Sequence, residues 1–222
     1  MNFSVAQSCP DPSYDCSLCP RLHEFLSEWR QIEPNWYNGP VKPFWPKGGG
    51  ENTKLLIVGL APGLRGANRT GRPFTGDYAG DLLYSTLKMY GFAQGQFEAR
   101  IDDSLQLIDC AIANAVRCVP PQNKPVGAEI NMCRQFLSPL FNNLPNLKII
   151  VPLGAIAHQS TIRALKKPVS HYPFKHGLMS DVDGLKVLSS YHCSRYNTNT
   201  GVLTDAMFHD IFEKARAYLD TQ

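Results

Sequence analysis

The chain has 222 residues, 43% of them hydrophobic and 18% charged, with a net charge of +3. That composition supports a packed core and excludes a disordered chain. So small a charge excludes a uniformly basic surface, so any nucleic acid must be met by locally clustered cations. The first sixteen residues lack the basic and apolar regions of an export signal. No apolar run reaches the roughly 20 residues of a membrane span. A cytoplasmic protein that makes no membrane contact is expected.

In chain order, residues 20–31 read as a helix and 33–53 as an irregular arm rich in Pro, Gly and aromatics. Four apolar runs follow, at 54–60, 110–116, 147–153 and 185–190, each bounded by turn residues and without polar alternation. Such runs suit strands covered on both faces. Between them, 81–90 carries Leu83, Thr86, Leu87 and Tyr90 at helical spacing, and 129–141 carries Ile130, Cys133, Phe136, Leu137 and Leu140. A shorter helix covers 155–165. Thr204 is placed to cap a last helix whose apolar side holds Phe208, Ile211, Phe212 and Ala215. Strand and helix in alternation imply βαβ units and a parallel sheet. The expected architecture is one domain over 1–222: a helix and arm at 1–53 and a three-layer α/β/α core at 54–222 around a four-stranded parallel sheet.

Ligands of such sheets bind beyond the carboxyl ends of the strands. That directs attention to the loops beginning at Gly59, Asn114 and Tyr191. Phosphate-loop and dinucleotide glycine motifs are missing, as are a zinc-protease His pair and a nucleophile elbow. What the first loop does hold is Arg65, Arg69 and Arg72 without an acidic residue over 64–76, together with Phe74. Guanidiniums grip phosphate oxygens and aromatic faces stack on bases. Asn114 ends an apolar strand, where a buried amide needs partners for its donors and its acceptor. His192 opens a polar loop containing Arg195, Tyr196 and Asn197.

Seven cysteines without an export signal argue against disulfides. Cys16 and Cys19 form a C-x-x-C pair, and Cys118 and Cys133 are separated by 14 residues. Four thiolates hold either zinc or a [4Fe-4S] cluster, and the spacing leaves both open, with the spread favouring the cluster. Cys9, Cys110 and Cys193 read as bystanders.

Taken together, Cys16/Cys19, Gly59-Leu-Ala-Pro-Gly63, Arg69-Thr-Gly-Arg-Pro-Phe-Thr-Gly76, Asn114-Ala-Val-Arg-Cys118-Val-Pro-Pro121, Cys133, Ser190-Tyr-His192 and Asn199-Thr-Gly-Val-Leu-Thr204 resemble the uracil-DNA glycosylase superfamily. Within it the chain is similar to the iron–sulfur branch, family-five type. The resemblance implies excision of uracil, and of other deaminated bases such as hypoxanthine and xanthine, from DNA in base excision repair, by a monomer associated with the nucleoid. It assigns Cys16, Cys19, Cys118 and Cys133 to a [4Fe-4S] cluster. It places Gly59, Ala61, Gly63 and Phe74 around the flipped base, with Asn114 on its pairing edge and His192 donating to the carbonyl that gains charge. Arg65, Arg69, Arg72, Arg195, Tyr196 and Asn197 are the expected DNA contacts. Ala61 stands where many relatives carry a side chain that orients water. Asn68 is the first expected substitute and Asp77 the second. Cys193 stands where Pro commonly follows the motif His. The reaction is expected to proceed without a general base, by stabilising charge on both sides of the breaking bond. The alternative is an iron–sulfur protein that binds DNA or senses redox state without turnover.

Overall fold

The structure, a computed structural model, describes residues 10–222. Cys9 and the segment read above as lacking an export signal up to that residue lie outside the described residues. The core is a sheet in the order β4-β1-β5-β7-β6. It comprises β1 (Leu55–Gly59), β4 (Cys110–Asn114), β5 (Ile149–Pro152), β6 (Met179–Val182) and β7 (Leu185–Leu188). Every residue of β1, β4 and β5 is buried, as unbroken apolar runs demand.

Side chains alternate across β1 and feed two separate cores. Leu55 and Ile57 pack with Leu83 and Leu87 of α3 (Tyr78–Met89) and with Phe208 and Phe212 of α7 (Asp205–Asp220). Leu56 and Val58 pack with Leu137 and Leu140 of α4 (Gly127–Asn143) and Ala164 of α5 (Ala155–Ala164). A buried side chain of this size contributes about 2 kcal/mol. Thr204 caps α7 as expected, its Oγ1 accepting from Met207 N–H at 3.2 Å.

The sheet differs from expectation in one respect: it has five strands, and the fifth is antiparallel. β6 pairs antiparallel with β7 at the edge, while β1, β4, β5 and β7 run parallel. The hairpin turns at Asp183-Gly184, both at positive φ (53° and 85°), and Asp-Gly is a strong hairpin signal. Only one β6 residue, Val182, is buried, so this edge strand carries no apolar run. A small ribbon of β2 (Ala93–Gln94) and β3 (Gln106–Leu107) stands apart.

The arm lies along the free edge of β4. Phe44 and Ile112 exchange backbone hydrogen bonds of 2.8 and 2.9 Å, and Val41 N–H donates to Arg117 O at 2.7 Å. A covered edge offers no template to a second chain. The arm also brings α1 (Pro20–Ile32) against the segment after β4, where Leu22 and Leu26 bury against Val116, Cys118, Val119 and Cys133.

Candidate active site

Gly59 and Asn114 are partners in register at the carboxyl ends of β1 and β4, and Ser190 bridges Leu153 beyond β7 and β5. The loops that leave these points enclose a crevice whose empty space, mouth included, is about 1350 Å³. Its walls include Ala61, Gly63, Arg65, Phe74, Asn114, His192 and Arg195, so the three loops singled out by the sequence do converge.

Close packing sets the floor. A methyl at Gly59 would clash with Asn114 Oδ1 and reach within 2.9 Å of the Phe74 ring, so only glycine lets both side chains approach. Phe74 sits at φ 51°, a strained conformation for a bulky residue. It is held there by Tyr84, whose hydroxyl donates to Pro73 O at 2.6 Å. Gly80 helps as well, because any Cβ there would collide with the Phe74 carbonyl. The Phe74 and His192 rings lie 5.9 Å apart at 29°. Among the described residues neither the Asn114 amide nor the His192 imidazole makes a side-chain hydrogen bond. Both are free for a ligand. Burial pushes the His192 pKa down to about 4, so at neutral pH the ring is an uncharged donor.

The two residues expected to orient water lie in different places. Asn68 is fully buried and absent from the crevice wall; its Nδ2 donates to Asn38 Oδ1 at 2.8 Å, tying the loop to the arm. Asp77 is in the wall. One of its oxygens caps α3, accepting from Gly80 N–H at 3.3 Å, and the other lies against the Gly63–Gly66 turn. Burial raises its pKa, and it has no ion pair among the described residues. The crevice therefore contains a carboxyl group, that of the second candidate.

The basic residues also divide. Arg65 and Arg195 are exposed at the crevice, and the Arg195 guanidinium stands 5.1 Å over the Tyr78 ring. Arg69 is exposed outside the crevice wall, its Nε donating to Arg65 O. Arg72 is not a surface contact. It is 4% exposed, forks onto Asp103 at 2.8 and 2.7 Å, and is surrounded by Phe44, Tyr84 and Phe97. Tyr196 is 75% exposed. The Asn197 side chain turns inward, donating to His192 O at 2.8 Å. Tyr78, Asn123 and Ser194 also line the wall and were not picked from sequence. Asn123 has a legible signal, since it sits at φ 57° after Pro120-Pro121 in the turn that accepts from Leu64 N–H.

Cys16, Cys19, Cys118 and Cys133 line a second, smaller hollow whose empty space, mouth included, is about 320 Å³, together with Pro12, Leu22, Val116 and Phe136. Burial and mutual repulsion push the Cys19 thiol up to about 11, and the Cys118 and Cys133 thiols upward too. Thiolates here need a compensating cation. Among the described residues no three ligating side chains are arranged to share one metal ion. The four cysteines line one shared cavity, and they are the residues that could hold a metal group. Cys110 is buried in β4, and Cys193 is buried with its thiol toward Ala79 O.

Residues 46–216 match the family model described as the uracil DNA glycosylase superfamily. The chain is 38% identical over 208 residues to a type-5 uracil-DNA glycosylase of Thermus thermophilus, spanning 90% of this chain and 92% of that one. It is 38% identical over 212 residues to the type-5 uracil-DNA glycosylase of Mycobacterium leprae, spanning 90% of each. A type-5 uracil-DNA glycosylase of Pyrobaculum aerophilum is 32% identical over 206 residues, spanning 91% of this chain and 88% of that one.

Proposed function

The chain belongs to the type-5 family of the uracil-DNA glycosylase superfamily, and on that premise we propose how its crevice breaks the bond and which bases it admits. It is a hydrolase of the N-glycosyl bond, acting on uracil in DNA in base excision repair. The target nucleotide leaves the helix stack, at a cost of a few kcal/mol, and its base enters the crevice against Phe74. Asn114 pairs with the base edge through its unsatisfied amide.

As the bond lengthens, electrons move onto the base and positive charge grows on the sugar. His192, a neutral donor, hydrogen-bonds the carbonyl oxygen that gains charge. One donor of this kind lowers the barrier by about 3 kcal/mol, or a few hundredfold in rate. Asp77 supplies the opposite charge: its carboxylate faces the cationic sugar and holds the water whose oxygen bonds to the anomeric carbon. The base departs with the bonding pair, the water bonded to the anomeric carbon releases one proton to solvent, and the base anion takes one up, leaving free base and an abasic site. Arg65, Arg69 and Arg195 meet the phosphates, and the exposed Tyr196 fills the vacated stack. Ala61 presents only a methyl group, leaving room for hypoxanthine and xanthine as well as uracil.

The observation that supports this reading most is the juxtaposition of Phe74, Asn114 and an unpartnered neutral His192 in one cavity. The test is excision from oligonucleotides carrying uracil, hypoxanthine or xanthine by wild type, His192→Ala and Asp77→Asn, the last retaining the helix cap. Wild-type turnover on uracil with both variants slowed at unchanged DNA affinity supports the assignment. Equal rates in all three would overturn it.

We assign the four-cysteine cavity to a [4Fe-4S] cluster, with zinc as the alternative, because four thiols raised by burial line one space and need a cation to be held as thiolates. Such a cluster, when bound, ties the N-terminal helix to the segment after β4. Cys118 lies four residues beyond Asn114, so this tie also steadies the base-reading amide.

A further inference from the structure

His192 has no side-chain hydrogen bond of its own among the described residues, so its placement is inherited from the backbone on either side. One side is held by Asn197. On the other, Tyr191 N–H donates to His176 Nδ1 at 3.0 Å. The Tyr191 and His176 rings stack at 4.9 Å and 16°, and Phe174 packs against the same tyrosine at 5.8 Å. The Met207 backbone on α7 faces the same imidazole. The segment carrying His176 is itself pinned to the strand end, since Gly177 N–H donates to Ser189 O at 2.8 Å and Ser189 N–H to Leu178 O at 3.0 Å.

We propose that His176 is a positioning residue for His192, fixing the Tyr191 backbone so that the next imidazole projects into the crevice. The proposal rests on the role given to His192 above. An accepting Nδ1 carries no proton, so the bond exists only while the ring is neutral with its hydrogen on Nε2, toward Met207. Burial favours that form. The charged groups facing the ring from α7 are Asp210, which favours the cation, and Lys214, which opposes it; they are paired with each other at 2.6 Å. Tyr191 faces it from the strand end, and exposed Lys175 precedes it on its own segment. Acidification therefore breaks the Tyr191–His176 bond, and the site loosens without any change in the residues that touch DNA.

The experiment compares His176→Asn, His176→Gln and His176→Ala in the full chain. Asn offers an acceptor where Nδ1 stood, and Gln reaches only the Nε2 position. In single-turnover excision of uracil, the Gln and Ala variants should lose about 10- to 100-fold, the cost of displacing a catalytic group by about 1 Å. Affinity for uracil-free DNA should not change. The Asn variant should keep most of the rate and lose the part of the acid-side fall that protonation of His176 causes, leaving the part that protonation of Asp77 causes. Full wild-type rates in folded Gln and Ala variants, or an Asn variant as slow as Gln, would overturn the proposal. The ring NMR signals of His192, expected to broaden in the Gln and Ala variants only, report its placement without turnover. Failure of wild type to excise uracil would thus count against the function and leave this placement open to its own refutation.

Discussion

Adding one methyl group at Gly59 should damage catalysis more than stability. The new Cβ would overlap Asn114 Oδ1 and stand 2.9 Å from the Phe74 ring, where ordinary contact is 3.4–4 Å. Phe74 must therefore retreat by about 0.5–1 Å, and Asn114 by at least as much; overpacking of this kind costs about 1–3 kcal/mol. For a chain of this length that lowers the melting temperature by about 2–12 °C. The same displacement moves Phe74 and the Asn114 amide, the two groups proposed to hold the base, together, so excision should fall by about 100-fold. The assay is single-turnover cleavage of a uracil-containing duplex by Gly59→Ala, with thermal unfolding and DNA binding measured alongside. Because the clash is shared with Phe74, Gly59→Ala combined with Phe74→Leu should lose less stability than the two single changes added. A Gly59→Ala protein with wild-type rate and melting temperature would refute the packing argument, and additive losses would refute its attribution to Phe74.

Other consequences follow from the charges and thiols. The native His192 pKa of about 4 lies below the ordinary histidine value of 6.5, so between those limits the unfolded chain binds a proton that the folded chain refuses. Stability should fall as pH drops from 6.5 toward 4, and less so in His192→Ala, as read by unfolding at pH 7.5 and 4.5. Arg72→Met strands the Asp103 carboxylate and should cost about 3–5 kcal/mol of stability, without changing the salt dependence of DNA binding. Arg65→Ala and Arg195→Ala should do the reverse, each weakening binding and reducing the salt slope by about 0.9. Cys118→Ser should lower iron content and melting temperature together; a variant free of iron yet as stable and active as wild type would remove the cluster from the account.

Local pattern carried much of this protein in its sequence. Four uninterrupted apolar runs meant strands, three of them buried along their whole length and the fourth, β7, only in its second half, and the Thr204 cap and helical spacing placed α7. The rule that ligands sit beyond parallel strand ends brought the loops after Gly59, Asn114 and Tyr191 to one crevice. The hairpin of β6 was missed although Asp183-Gly184 advertises it, because an edge strand buries too little to leave an apolar run.

Side-chain direction inside the loops belonged to the tertiary structure alone. Arg65 and Arg72 look alike in a basic, glycine-rich stretch, yet Asp103, 31 residues further on, draws one into the core and leaves the other at the crevice. Asn68 and Asp77 were rivals for one task until Asn38, 30 residues earlier, turned the amide toward the arm and the start of α3 turned the carboxyl toward the cavity. A helix or strand has a period that tells which residues share a face. A loop has none, so where its side chains point is decided by partners distant in the chain, and those meet only when it folds.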